Sequence, residues 1–174
     1  MAVLMRAGRP EDVPLLAPIE QAAGRLFLEV GMPEIAGDDP VPEEMLLQGV
    51  DAGLLWVAVD EGESLAPAGY LLAKNLDESR HIEQLTVHPR YARQRIGSRL
   101  IDACGEGAMA SGFRSLTLTT FRDVPWNAPY YRRIGFVEVP DTELSPALRE
   151  IVQHEHDAGL DRWPRVVMRR TLTH

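Results

Sequence analysis

The apolar positions of this chain switch repeatedly between two periods, and each switch marks an element. Val3 to Ala7 reads as a strand, broken by Gly8-Arg9-Pro10. Behind acidic Glu11 and Asp12, the residues Val13, Leu16, Ile19, Ala23 and Phe27 recur at helical spacing and predict a first helix. Residues 31–42 are rich in Gly, Pro and acid and read as a loop. Pro42-Glu43-Glu44 then opens a second helix with Met45, Leu46 and Val50 apolar. Leu54 to Asp60 and Ala68 to Asn75 read as an antiparallel strand pair, and Ile82 to Val87 as the next strand. Ile96, Leu100, Ile101, Cys104 and Ala108 line one side of a helix predicted over 96–111, which Gly112 ends. A strand over 115–121, a short helix over 128–134 stopped by Gly135, and a strand over 136–139 follow. A helix over 145–158 and a strand over 165–172 complete the chain.

This order predicts a mixed α/β fold. Strand 82–87, helix 96–111 and strand 115–121 have the spacing of a βαβ unit, whose connection is expected to be right-handed. Ligands of such sheets bind beyond the carboxyl ends of the strands, where the turn 88–97 lies. There is no internal repeat, no low-complexity tract and no linker long enough to divide domains. A single domain over 1–174 is therefore expected, and 174 residues suffice for a sizeable core.

Charge narrows the partners. The net charge is −8 and the sequence pI about 5.1, which argues against nucleic acid or an anionic membrane surface. Lys74 is the only lysine among 18 basic residues. Cys104 is the only cysteine, so no internal disulfide can form. No apolar run approaches the ~20 residues of a membrane span, and the N-terminus does not read as a signal peptide. The expected location is cytoplasmic.

The residues from His81 to Leu100 carry the candidate chemistry. A strand runs through a turn holding Arg90, Arg93, Arg95 and Gly97 into a helix. A helix start offers unpaired N–H groups and the positive end of its dipole, so arginines there on an acidic protein point to a phosphate-bearing ligand. Side chains at 81, 83, 85 and 87 share one strand face. His81 and Glu83 make the start of that face polar and are candidates for proton transfer. Gln84, Thr86 and His88 lie on the other.

At this turn, and again over Asn127-Ala128-Pro129-Tyr130-Tyr131-Arg132-Arg133-Ile134-Gly135-Phe136, the chain resembles the GNAT superfamily of N-acetyltransferases. Leu85-Thr86-Val87-His88-Pro89 is similar to that family's cofactor-binding strand, and 91–100 to its pyrophosphate-binding arm. The resemblance implies a mostly antiparallel central sheet of six to seven strands flanked by helices. It also implies acetyl-CoA as cosubstrate, and no metal. The pyrophosphate would lie on backbone N–H groups of Arg93, Gln94, Arg95, Ile96, Gly97 and Ser98. The pantetheine arm would pair with Leu85 and Val87 beside Thr86, and an N–H near Leu85 would hold the thioester oxygen. Where the family arm reads Gln/Arg-x-x-Gly-x-Gly/Ala, this chain has Ala92, Arg93, Gln94, Arg95, Ile96 and Gly97, so only the last glycine is kept. An arginine does not take φ > 0 cheaply, and an ordinary backbone is expected at 95.

The resemblance also assigns roles. An alkylamine with pKa near ~10.4 is about one part in a thousand nucleophilic at neutral pH, so a base is needed. Glu83 is the first choice and His81 the second. Tyr131 aligns with the tyrosine that protonates the departing thiolate. Asn127 aligns with an asparagine that bonds the pantetheine arm or caps the short helix. Residues 29–44 hold Glu29, Glu34, Asp38, Asp39, Glu43 and Glu44 without a basic residue, an acidic acceptor rim suited to a cationic amine. Phe27, Met32 and Trp126 are candidates to line the acceptor pocket.

His154-Glu155-His156-Asp157 looks like a metal cluster, but residues i and i+2 of a helix point apart, and a solvated helix face is expected. Cys104 reads as core. The expected reaction is direct attack of a small-molecule or peptide amine on acetyl-CoA in a ternary complex, since no nucleophile for an acyl-enzyme stands out. The rivals are another acyl donor or acceptor, an acetyl-CoA-binding sensor with little catalysis, and a tRNA-linked acceptor, which the negative charge disfavours. Dimers are common in the family, and a homodimer is the expected assembly.

Overall fold

A computed structural model describes residues 2–173. In chain order the elements are β1 (Val3–Ala7), α1 (Leu16–Gly24), α2 (Pro33–Ala36), α3 (Glu43–Ala52), β2 (Leu55–Asp60), β3 (Ala66–Asn75) and β4 (Ser79–Val87). There follow α4 (Ile96–Ala110), β5 (Ser115–Phe121), α5 (Ala128–Arg133), β6 (Val137–Val139), α6 (Pro146–Asp157) and β7 (Arg165–Thr171). The strands hydrogen-bond in the order β1-β2-β3-β4-β5-β7-β6. Pairs β1/β2, β2/β3, β5/β7 and β6/β7 are antiparallel, and β4/β5 is parallel, as expected of strands joined through a helix. The fold is thus mixed α/β with a mostly antiparallel sheet.

The predicted first helix is three pieces. A 3₁₀ turn covers Pro10–Leu15, α1 follows, and a second 3₁₀ turn covers Arg25–Val30. Pro14 and Pro18 explain the first break, because proline has no N–H to continue a helical ladder and is tolerated only in a first turn. Gly31, at φ 72, ends the last piece. The predicted loop 31–42 contains the short helix α2, started by Pro33. β4 begins at Ser79, earlier than the apolar pattern indicates, because Ser79, Arg80 and His81 are buried polar residues.

The chain divides into two compact units, Met1–Lys74 with Ile82–Gly107, and Asn75–His81 with Ala108–His174. In the first, Val13, Leu16, Ile19 and Leu46 of the helical layer pack with Leu55, Val57, Val59, Tyr70 and Leu72 of β2 and β3. Arg6 of β1 donates two hydrogen bonds to Asp12, at 2.7 and 2.9 Å, and Asp12 also accepts from the Arg9 N–H. Burial works to raise the Asp12 pKa, but Arg6 and the Arg9 amide outweigh it and hold the carboxyl below its usual range. In the second unit, Val139, Leu144, Leu148 and Val167 form a core with Leu76, Ile151 and Val152 against it. Ile96, Leu100, Ile101, Cys104 and Ala108 of α4 are all buried, as their spacing predicts. Among the described residues no helix is long and apolar enough to cross a membrane.

Candidate active site

In the first unit the site residues lie on β4, the turn after it and the start of α4. Leu85 and Val87 are half-buried and Thr86 is buried, accepting from the Gln84 amide at 2.7 Å. Glu83 pairs with Lys74, Oε1 to Nζ at 2.6 Å. The Glu83 side chain is 28% exposed while the residue as a whole is more exposed than that, so its main chain carries much of the exposure. β3 passes close by: a Cβ on Gly69 would lie 2.5 Å from the Thr86 carbonyl oxygen, so only glycine fits. The His88 N–H donates to the Ala68 carbonyl at 2.8 Å, which fixes where the strand leaves the sheet.

The turn is tied at its base. The Arg90 N–H donates to His88 Nδ1 at 3.0 Å, which makes that nitrogen the acceptor. The Tyr91 hydroxyl donates to fully buried Asp60 at 2.7 Å, and Asp60 accepts again from the Gly62 N–H at 2.9 Å. That hydrogen bond, with burial, raises the Tyr91 pKa. Arg90 is occupied at the surface by Glu63, 2.9 Å away.

The backbone beyond the anchor corrects one expectation. Arg95 is not ordinary: its φ is 59, and Arg93 stands at φ 65. Both take the left-handed conformation that glycine adopts freely and other residues adopt at about 1 kcal/mol each. Their side chains are exposed. The chain thus holds the turn left-handed at 93 and 95 with arginines, keeping only Gly97 of the family's glycines. The first helical bond after it runs from the Arg99 N–H to the Arg95 carbonyl at 2.9 Å. The N–H groups of Ile96, Gly97 and Ser98 precede it and have no carbonyl in the helix to reach. That is a donor set suited to phosphate oxygens.

In the second unit, the parallel ladder pairs Ser79, His81 and the residue between them with Ser115 to Thr117. His81 is 3% exposed, and its Nδ1 lies 2.9 Å from Thr117 Oγ1, which in turn lies 3.2 Å from Ser79 Oγ. It is a buried, hydrogen-bonded histidine rather than one at a wet strand end. Asn127 precedes α5 but makes no side-chain cap; its carbonyl accepts the Tyr131 N–H at 3.0 Å. The capping role is therefore not made by its amide. Tyr131 is buried edge-on against Phe136 and Tyr130, at centroid distances of 5.6 and 5.4 Å. Burial, then the neighbouring Tyr130, pushes its pKa well above the usual phenol value, so it stays an O–H donor. None of the hydrogen bonds among the described residues engages that hydroxyl.

The acceptor candidates are spread. Phe27 is half-buried in the turn Arg25–Val30, Glu29 is exposed, and Trp126 is half-buried before α5. Met32 is 3% exposed and its N–H donates to the Phe27 carbonyl, so it sits inside the wall of its loop. Glu155 departs from the solvated-face reading of 154–157: its carboxylate turns inward to Thr119 and Arg165, while His154 and His156 stay exposed. Sequence reasoning missed Lys74, Asp60, Thr117 and Thr119. The signal for the threonines was there, since Ser115, Thr117 and Thr119 alternate with Leu116 and Leu118. Among the described residues no His, Cys, Asp and Glu group could hold a metal ion.

A parallel strand–turn–helix unit with an exposed arginine turn ahead of its helix start is an α/β arrangement suited to an anionic ligand. A sequence profile of the acetyltransferase (GNAT) family matches residues 22–136, more than half of the chain, and the protein belongs to that family. Among solved structures it is similar to the PaiA N-acetyltransferase of Thermoplasma acidophilum in complex with coenzyme A, at 15% identity and TM-score 0.68, over 98% of this chain and 99% of that one. It is similar to Ard1 from Thermoplasma volcanium at 17% identity and TM-score 0.70, over 100% of both chains. The ribosomal-protein-S18-alanine N-acetyltransferase of Escherichia coli matches at 15% identity and TM-score 0.64, over 99% of this chain and 96% of that one. At these identities the likeness is one of fold.

Proposed function

We propose that the protein moves an acetyl group from acetyl-CoA to a primary amine, by direct attack in a ternary complex, and that the amine is a small cation or a peptide amine. The observation that carries this reading is the turn 92–98. It holds two arginines at φ 65 and 59 just ahead of the N–H groups that start α4, at a cost in backbone strain that an ordinary loop would not retain. Those amides, with the exposed Arg93 and Arg95, fit the pyrophosphate. The exposed main chain near Glu83 and the half-buried Leu85 and Val87 suit a pantetheine arm laid along β4 as an added strand.

Glu83 takes a proton from the acceptor ammonium, leaving its other carboxylate oxygen on Lys74. The amine nitrogen attacks the thioester carbon, an N–C bond forms, and the carbonyl oxygen becomes an oxyanion held by an N–H of β4. As the C–S bond breaks, the Tyr131 hydroxyl donates to the sulfur, and the excess proton on nitrogen returns to the tyrosine. His81, buried on Thr117, is the second candidate for the proton path. PaiA is described with coenzyme A, which agrees with this donor.

The test is thiol release from acetyl-CoA by the pure protein across polyamines, amino acids, aminoglycosides and peptide N-termini, with product masses. Turnover with one class is expected. Glu83→Gln is expected to lower kcat by about 100-fold or more, and Tyr131→Phe by about tenfold or more. Acetyl-CoA that binds but is never turned over with any acceptor would overturn the enzyme reading in favour of a sensor. Unchanged kcat in both variants would remove the assigned roles.

A further inference from the structure

Lys74 stands where the buried run of β3 gives way to water. Tyr70 and Leu72 belong to the core of the first unit, and 74 follows them on the same strand face with a side chain 44% exposed. Its Nζ lies 2.6 Å from Glu83 Oε1. Both residues belong to the first compact unit, as do the turn 92–98 and the start of α4. An ion pair this open to water adds little to stability, so stability alone gives no reason for a lysine here.

The residue type is informative. Every other position among the 18 lysines and arginines is an arginine. An arginine would hold a carboxylate at least as well, through two parallel N–H donors, but its guanidinium keeps its protons. A lysine ammonium can give one up and become a nucleophile. The chain thus sets its one side-chain alkylamine against the carboxylate that the proposed function uses as base. An acceptor ammonium has to come within hydrogen-bond distance of a Glu83 oxygen to hand over its proton. Lys74 Nζ already stands at that distance, on a flexible four-carbon stem that can follow a thioester laid along β4.

We propose that Lys74 is a self-acetylation site: with acetyl-CoA bound and no outside amine, the protein transfers the acetyl group to its own Lys74 Nζ. Glu83 Oε1 takes one proton from the ammonium. The freed nitrogen pair attacks the thioester carbon and an N–C bond forms. The C–S bond breaks, a second proton from nitrogen goes to the leaving sulfur, and the products are an amide at Lys74 and the CoA thiol. The amide is neutral, so the ion pair ends and both Glu83 oxygens are open to an outside acceptor. This rests on the amine acetyltransferase reading and on Glu83 as its base.

The probe is acetyl-CoA alone, incubated with the pure protein and followed by peptide mass and thiol release. One acetyl group on the peptide that holds Lys74 is expected, with thiol released to match and a rate per chain unchanged on dilution of the protein. That rate is expected to fall about 100-fold or more in Glu83→Gln, whose fold is checked by the rise in melting temperature that acetyl-CoA gives. Lys74→Arg keeps the ion pair and is expected to lose the thiol release seen without an outside amine. Equal acetylation of Lys74 in the wild type and in Glu83→Gln, the mark of uncatalysed transfer, overturns the proposal. So does a rate per chain that falls on dilution, the mark of transfer between chains. An unmodified Lys74 in a protein that releases thiol with putrescine, a dication, or butylamine, a monocation, also overturns it and leaves the transferase reading standing. Absence of both acetyl-Lys74 and thiol release from any amine, while acetyl-CoA still raises the melting temperature, overturns the transferase reading instead, and self-acetylation falls with it.

Discussion

At the scale of single residues, the polar groups carried inward are more telling than the apolar ones. Glu20 is a case. It accepts the Tyr70 hydroxyl and the Val41 N–H, the latter at 3.2 Å, from a position inside the first unit. Burial raises its pKa, with Asp38 adding to the rise against those two hydrogen bonds, and Tyr70 is raised far above its usual range by burial and by Glu20. A carboxyl whose folded pKa is raised contributes most below its unfolded pKa, near ~4.3, and that contribution is lost as pH rises through the folded value. Glu20→Gln keeps an acceptor for Tyr70 and removes the buried charge. It is expected to be at least as stable as the wild type at pH 7 and to lose that advantage by pH 4, read from thermal melts at both. Glu20→Ala leaves the Tyr70 hydroxyl unpaired and is expected to cost about 1–3 kcal/mol. Nothing in the sequence marks Glu20 apart from the exposed acids around it, because its partners are far along the chain. Arg95 shows the same limit: sequence reasoning set its backbone as ordinary, since the demand for φ > 0 comes from the turn and not from the residue type.

Elements were more legible. α4 came out of its spacing almost unchanged, because one long amphipathic stripe leaves no other way to bury five apolar side chains. The first helix did not, because prolines at 14 and 18 divide a stripe that periodicity alone reads as continuous. The approach of β3 to β4 was invisible, since it depends on a neighbour that the sequence does not name. Gly69→Ala tests it. The added Cβ would meet the Thr86 carbonyl at 2.5 Å and Val87 Cα at 3.2 Å, both backbone and unable to turn aside. The variant is expected to lose about 1–3 kcal/mol in urea unfolding and to raise the acetyl-CoA KM by displacing β4.

For the whole molecule, the net charge of −8 acts at long range while the arginine turn acts locally. On the proposed function, a cationic acceptor would be drawn by the first and the polyphosphate of acetyl-CoA held by the second. The kcat/KM for putrescine is therefore expected to fall more steeply between 0.05 and 0.5 M salt, roughly the range over which the Debye length shortens past the size of a site, than that for butylamine. Equal salt slopes for the two amines would show that the acidic surface has no part in acceptor capture.

By itself the sequence determined the α/β order and the strand–turn–helix unit, because periodicity and turn chemistry are local and each repeats over enough residues to be read, and the motifs at 85–100 and 127–136 carried the family resemblance. It also determined which residue types stood near the turn. Only the tertiary structure decided that His81 is buried on Thr117, that Glu83 shares Lys74, that Arg93 and Arg95 are held left-handed, and that Glu155 faces inward. Each of these rests on contacts between residues distant in sequence, where a neighbour's geometry, and not the residue's own propensity, sets the energy.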